Sequence, residues 1–239
     1  MDEDVVDNAL PRRLCIAVAV CLAATILTIF AGAPHFDRAL SGQFPDLPLA
    51  GKAETFGSFD RTRLGIEVSK GKFLVASRQI KDPRFMETVI LLTQYGSQGT
   101  VGLIVNRPTE IRLSQAFPDI KGLQREASYL YSGGPVGINQ VQLLIRSQDT
   151  VEEARRIFGD VYVSSSRNVL DRLLKDPHGT VRFRIYSGYA GWLPEQLERE
   201  IDRGDWHVIQ ADAATVFEKA PSEIWPEFIR RASVLQVRK

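Results

Sequence analysis

Three features of this 239-residue chain predict an α+β domain with a mixed, largely antiparallel sheet. Short runs of strand-forming residues come in clusters. A few helical stripes fall between them without regular alternation, and glycine or proline marks most of the breaks. The elements follow in chain order.

Residues 1–13 form a short tail ending in Arg12-Arg13. Leu14 to Ala33 (LCIAVAVCLAATILTIFAGA) carries no charge. A helix of that length spans ~30 Å, the thickness of a bilayer's hydrocarbon core. Three readings stay open. The length favours an uncleaved transmembrane anchor, and the arginines before it place the N-terminus in the cytoplasm and the body on the far side of the membrane. Ala31-Gly32-Ala33 also fits a secretory cleavage site, although Pro34 follows and the tail is acidic. A start-site artefact is the third reading. A buried core helix fits poorly, since 20 uncharged residues at an N-terminus are rare in such helices.

Residues 34–63 hold Pro34, Pro45 and Pro48 among several glycines and show no sustained period, as a linker would. The globular body is expected over 64–239, large enough for a sizeable core. Its strands are expected at Lys72–Ser77, Thr88–Thr93 and Thr100–Asn106, the last two joined as a hairpin, then at Tyr129–Ser132, Val141–Ile145, Val161–Ser164, Thr180–Tyr186 and Trp206–Gln210. In Thr180–Tyr186, Val181, Phe183 and Ile185 alternate with Arg182, Arg184 and Tyr186, which predicts that the second set faces water. Helices are expected at Arg167–Lys175, with Ser165 or Ser166 as N-cap, at Pro194–Arg203, stopped by Gly204, and at Ser222–Arg231.

Composition excludes several functions. Lys plus Arg is 30 and Asp plus Glu is 29, a net charge of +1. That argues against direct nucleic-acid binding, as does the lack of a helix-turn-helix pattern. Cys15 and Cys21 both lie in the apolar segment, so the body has no disulfide, thiolate nucleophile or cysteine-ligated zinc. The only histidines are His35, His178 and His207, none at ligand spacing from another. No P-loop, G-x-G-x-x-G or G-x-S-x-G pattern occurs. No metal, cofactor or catalytic set is expected.

Four segments stand out. They are Asp82-Pro83-Arg84-Phe85 with Thr88-Val89-Ile90; Gly102-Leu103-Ile104-Val105-Asn106-Arg107-Pro108; Ser132-Gly133-Gly134-Pro135-Val136; and Gly188-Tyr189-Ala190-Gly191-Trp192 running into Gln196 and Glu200. In this order and spacing, over Gly71 to Val234, the chain resembles the AlgH/YqgE family of bacterial proteins. The resemblance implies one domain with a bifurcated sheet rolled into a flattened pseudo-barrel and helices outside. It implies no established activity, although some members are named transcriptional regulators. Typical members lack the apolar N-terminal segment and look cytoplasmic. They often carry a histidine where this chain has Gln94-Tyr95, so no role of that histidine passes to this chain.

Each motif has two readings. Asn106-Arg107-Pro108 is a strand exit, or Arg107 offers its fork of donors to an anionic partner. Gly133-Gly134 is a tight turn, or a nest of N–H groups for an oxyanion. Tyr189, Gly191 and Trp192 are core packing, or the wall of a cleft toward which Gln196 and Glu200, four apart on a helix, are turned. The functional readings combine into a membrane-tethered module that binds a protein, a peptide or a small anion through Asn106, Arg107, Gly133, Gly134, Tyr189, Gly191, Trp192, Gln196 and Glu200. The alternatives are a hydrolase using Ser132 with His178 or His207 as base, and a regulator that acts on transcription indirectly.

Overall fold

The computed structural model describes residues 67–125, 128–175 and 181–237. The segments expected as anchor and linker, residues 14–33 and 34–63, lie outside these residues. No described helix is long and apolar enough to cross a membrane.

Ten described strands form one sheet: β1 Lys72–Ala76, β2 Val89–Gln94, β3 Thr100–Ile104, β4 Pro108–Arg112, β5 Tyr129–Ser132, β6 Val136–Arg146, β7 Arg155–Phe158, β8 Val161–Ser164, β9 Arg182–Trp192 and β10 Trp206–Gln210. The helices are α1 Leu113–Ala116, α2 Arg167–Leu173, α3 Gln196–Asp202, α4 Ala213–Phe217 and α5 Pro221–Val237, with a 3-10 turn at Lys121–Arg125. The main strand order is β10-β1-β2-β3-β9-β6-β8-β7. All these pairs are antiparallel. At β9 the sheet branches: β5 pairs with it in parallel, and β4 pairs antiparallel with β5.

The sheet curls into a half-barrel, and β7 comes round toward the start of β1. Lys70 Nζ donates to the Arg156 carbonyl at 3.2 Å, and Arg155 Nη1 donates to the Thr93 carbonyl at 2.9 Å. Curling explains why the central strands are apolar throughout. In β1, Phe73 and Val75 face the interior, while Leu74 and Ala76 face a second cluster outside. A strand buried on both faces reads as a continuous apolar run. Val161, Val163, Leu144, Tyr131 and Tyr186 continue the interior cluster, and Val216, Phe217, Ile224 and Phe228 of α4 and α5 cover it. The outer face is covered by α1, the 3-10 turn and α2 on one half, and by Leu197 of α3 on the other.

Several expectations need correction. In β9 the alternation is real and Val181, Phe183 and Ile185 are on a covered face as expected, but the other face is not wet along its length. Tyr186 is 0% exposed and Arg184 is half-buried, because the face read as wet is the concave interior. The third helix begins at Gln196, two residues later than expected, and Leu193 before it is exposed. Ser166 occupies the N-cap position of α2 but makes no cap; its hydroxyl donates to Glu153 Oε2 at 2.6 Å.

Candidate functional site

The four motifs interlock as two pairs. In the first, the strand exit after β3 pins the Asp82–Glu87 strap. Asn106 Nδ2 donates to the Glu87 carbonyl at 2.8 Å, and Asn106 Oδ1 accepts the Val89 N–H at 2.9 Å. Arg107 donates to the carbonyls of Arg84 (2.5 Å), Pro83 (3.1 Å) and Met86 (2.7 Å). The guanidinium fork that sequence reasoning offered to an anionic partner is thus turned onto carbonyls of its own chain. Burial pulls the Arg107 pKa down, opposed by Asp82 and Glu87. Within the strap, Arg84 grips Asp82, and its hydrogen bonds hold the Asp82 carboxyl down at about 2.

In the second pair, backbone meets backbone. A Cβ on Gly133 would lie 2.3 Å from the Gly188 carbonyl oxygen, and one on Gly134 would lie 2.2 Å from the Tyr189 carbonyl carbon. Gly188 has φ +70. Beyond it the alternation of β9 shifts by one: Tyr189 packs against the interior cluster, while Ala190 and Trp192 join the outer one. The glycines let two chain segments close to a distance no side chain permits. The Gly133 N–H donates to the Ser187 carbonyl at 2.8 Å, and the Gly133 carbonyl accepts from Ile104 N. That N–H is spent, so an oxyanion nest at Gly133-Gly134 would lack one of its two donors.

The remaining candidates meet at Glu200. Its Oε2 accepts both indole N–H groups, Trp192 at 2.8 Å and Trp206 at 2.9 Å, and its Oε1 accepts Gln196 Nε2 at 2.9 Å. Gln196 Oε1 in turn accepts the Leu193 N–H. The two indoles stand edge to face at 6.0 Å, and Phe85 of the strap stands edge to face on Trp206 at 5.9 Å. The structure therefore links Asn106, Arg107, Trp192, Gln196 and Glu200 through the strap and Trp206, with their polar groups turned inward. Tyr189 is half-buried, and Gly191 is exposed opposite Val101. Trp206 was missed by sequence reasoning. Its tryptophan, six residues after Glu200 at the start of an expected strand, was the available signal.

Ser132 and His207 do not come together. Alternation puts Ser132 on the sheet face opposite Tyr131 and the interior, whereas His207 pairs with Val75 and shares its interior face. The hydrogen-bonded path between their strands runs through β9, β3, β2 and β1. Burial lowers the His207 pKa. His178 and His35 lie outside the described residues. No group of three or more His, Cys, Asp or Glu suited to a metal occurs among the described residues.

Comparison with known proteins agrees with this architecture. Residues 73–235 match the family model described as AlgH-like (DUF179). A UPF0301 protein of Methylococcus capsulatus is 34% identical over 170 residues, covering 70% of this chain and 92% of that protein. A UPF0301 protein of Streptomyces avermitilis is 31% identical, covering 67% and 85%. The solution structure of the AlgH protein from Pseudomonas aeruginosa matches with a TM-score of 0.57 at 31% identity, over 68% of this chain and 87% of that one. A crystal structure of a Corynebacterium diphtheriae protein matches in fold, with a TM-score of 0.60 at 23% identity over 69% and 87%. With matched segments that coincide with the half-barrel and its interlocked motifs, the chain belongs to the AlgH-like family.

Proposed function

We propose that this chain is a membrane-tethered recognition module, held by residues 14–33, that presents the Asp82–Glu87 strap to a protein or peptide partner. The observation that supports it is the strap's preorganisation. Five hydrogen bonds of the Asn106 and Arg107 side chains hold the strap and Val89 just beyond it, and Phe85 anchors the strap beneath on Trp206. Met86 is left 41% exposed at its tip. A loop fixed before binding loses little further entropy when a partner arrives, and methionine adapts to irregular surfaces. A catalytic role would need polar groups free to move protons, and those of Asn106, Arg107 and Glu200 are engaged within the fold.

The test uses the full chain in its own membrane, with a photo-crosslinking residue at Met86 or, as control, at Glu110. A discrete adduct from position 86, weakened by Arg107→Ala in a protein that still folds, supports the proposal. Equal labelling from both positions overturns the strap, and release of intact chain from membranes without detergent overturns the tether.

A further inference from the structure

The interior of the half-barrel contains a convergence of donors without an acceptor. Arg184 and Tyr186 are two apart on β9 and point the same way, opposite Leu144 and Gln142 of β6. Tyr131 of β5 is the parallel partner of Tyr186. The Tyr131 and Tyr186 rings are 5.3 Å apart, and the Arg184 guanidinium lies 4.8 Å from the Tyr131 ring centroid. Tyr186 is fully buried. The Arg184 Nη1 and Tyr186 hydroxyl atoms are both sealed from solvent, and neither finds an acceptor among the described residues; the Arg184 guanidinium lies close enough to the phenolic oxygen to oppose the effect of burial on its pKa.

The chemistry of this trio is one-sided. A guanidinium can only donate, so it cannot take the phenolic proton of Tyr186. The Tyr131 ring face offsets part of the positive charge without satisfying the in-plane N–H groups. The nearby acids are engaged elsewhere: Asp160 and Glu218 hold Arg146, and Glu218 also reaches Arg182. Arg146 and Arg182 are paired across β6 and β9, on the interior face two residues outward from Leu144 and Arg184. Three arginines thus line one track leading inward, against two carboxylates. Burial also pushes the Tyr131 and Tyr186 hydroxyls up, which keeps both as neutral donors.

We propose that the interior of the half-barrel binds a compact oxyanion, a carboxylate or a phosphate group, which accepts hydrogen bonds from Arg184 Nη1 and the Tyr186 hydroxyl. Arg146 and Arg182 stand at the entrance, and Tyr131 stacks under the guanidinium. The oxyanion supplies the acceptors that the protein withholds. Arg184 provides the planar, charge-assisted part of the site, and Tyr186 adds one further donor. This site is separate from the strap, so either reading can fail alone.

The experiment follows the Arg184 side-chain signals by NMR in the full chain held in detergent, titrated separately with inorganic phosphate, acetate and chloride. Saturable shifts with phosphate or acetate, and none with chloride at equal ionic strength, are expected; whichever of the two binds tells phosphate from carboxylate. Loss of one hydrogen bond in Tyr186→Phe should weaken binding about fivefold to tenfold. Arg184→Lys keeps the charge without the fork and should weaken it further. Tyr186→Phe leaves packing intact, so the comparison survives even if Arg184 variants fold poorly. No shift up to ~50 mM of either oxyanion, far above the micromolar-to-millimolar range of small-metabolite sites, overturns the proposal, as does undiminished affinity in Tyr186→Phe. Equal response to chloride also overturns it, since that would be screening of the arginines.

Discussion

Removing the Glu200 carboxylate tests whether the aromatic corner beneath the strap is scaffold or binding surface. In Glu200→Ala the indole N–H groups of Trp192 and Trp206, in side chains 7% and 4% exposed, lose their common acceptor, and Gln196 loses its partner. A buried donor left unsatisfied costs about 1–3 kcal/mol. Glu200 is itself half-buried. Water can therefore enter the space it leaves, which places each indole near the low end. The expected loss is about 2–3 kcal/mol, or roughly 4–12 °C in Tm for a body of this size. Glu200→Gln keeps one oxygen able to accept both indoles and gives up chiefly the Gln196 bond, so it should cost only about 1 kcal/mol. Thermal unfolding of the full chain, followed by tryptophan fluorescence, measures both. Near-UV circular dichroism reports whether the edge-to-face Trp192–Trp206 pair survives. A loss below ~0.5 kcal/mol in Glu200→Ala would refute the scaffold assignment, because that is the scatter of surface substitutions. Equal costs in the two variants would show that charge, and not acceptor geometry, is what the corner needs.

Arg107→Ala should release the strap. Hydrogen exchange at Arg84–Thr88 should accelerate at least tenfold, with a stability loss of about 1–3 kcal/mol; unchanged exchange would show that the strap holds itself. Gly134→Ala should prevent folding, because the new Cβ meets Tyr189 and Ala190 backbone atoms at 2.2–2.3 Å and the residue sits at φ +152; a folded variant by circular dichroism would contradict the interlock. The His207 pKa lies below its ordinary value of 6.5 in the fold because burial disfavours the charged ring. The unfolded chain therefore takes up the proton first as pH falls. Stability should hold above pH 6.5 and decline below it toward the folded pKa, and His207→Gln should flatten that decline in unfolding measurements. Tyr186→Phe, measured without oxyanions, should be neutral or stabilising by up to ~1 kcal/mol, since it removes an unpaired buried hydroxyl; a loss above ~1 kcal/mol would show that the hydroxyl has a partner within the fold.

The sequence was most legible in the short strands that turns flank on both sides. Lys72–Ala76, Tyr129–Ser132, Val161–Ser164 and Trp206–Gln210 were expected to within a residue, because short runs of strand formers flanked by turns leave little alternative. β4 and β7 were missed. Pro108 opens one, and two arginines begin the other, so neither shows an apolar run. β9 runs on to Trp192, six residues past its expected end, because Gly188 and Gly191 mask a strand whose glycines serve close approach. In β9 the apolar face was legible, since Val181, Phe183 and Ile185 are covered as expected, but the burial of the opposite face was not. Periodicity says that Arg184 and Tyr186 share a face but not which face is concave, and only curling puts a fork of donors inside. At the candidate site, the family resemblance singled out Asn106, Arg107, Trp192, Gln196 and Glu200, which the structure joins through hydrogen bonds within the fold. Their chemistry was hidden because Asn106 and Arg107 act on a strap about 20 residues upstream, a pairing no local spacing encodes.

The pairing of β10 with β1 has a consequence for synthesis. Ala76 and Trp206 are partners across those strands, so the ribosome must add roughly 130 residues before the free edge of β1 is covered. At ~5–20 residues per second this takes on the order of ten seconds. During that interval Phe73, Val75 and their neighbours stand open to any passing strand. Nascent chains of this protein therefore need β1 shielded until Trp206 has been made, on whichever side of a membrane the body folds.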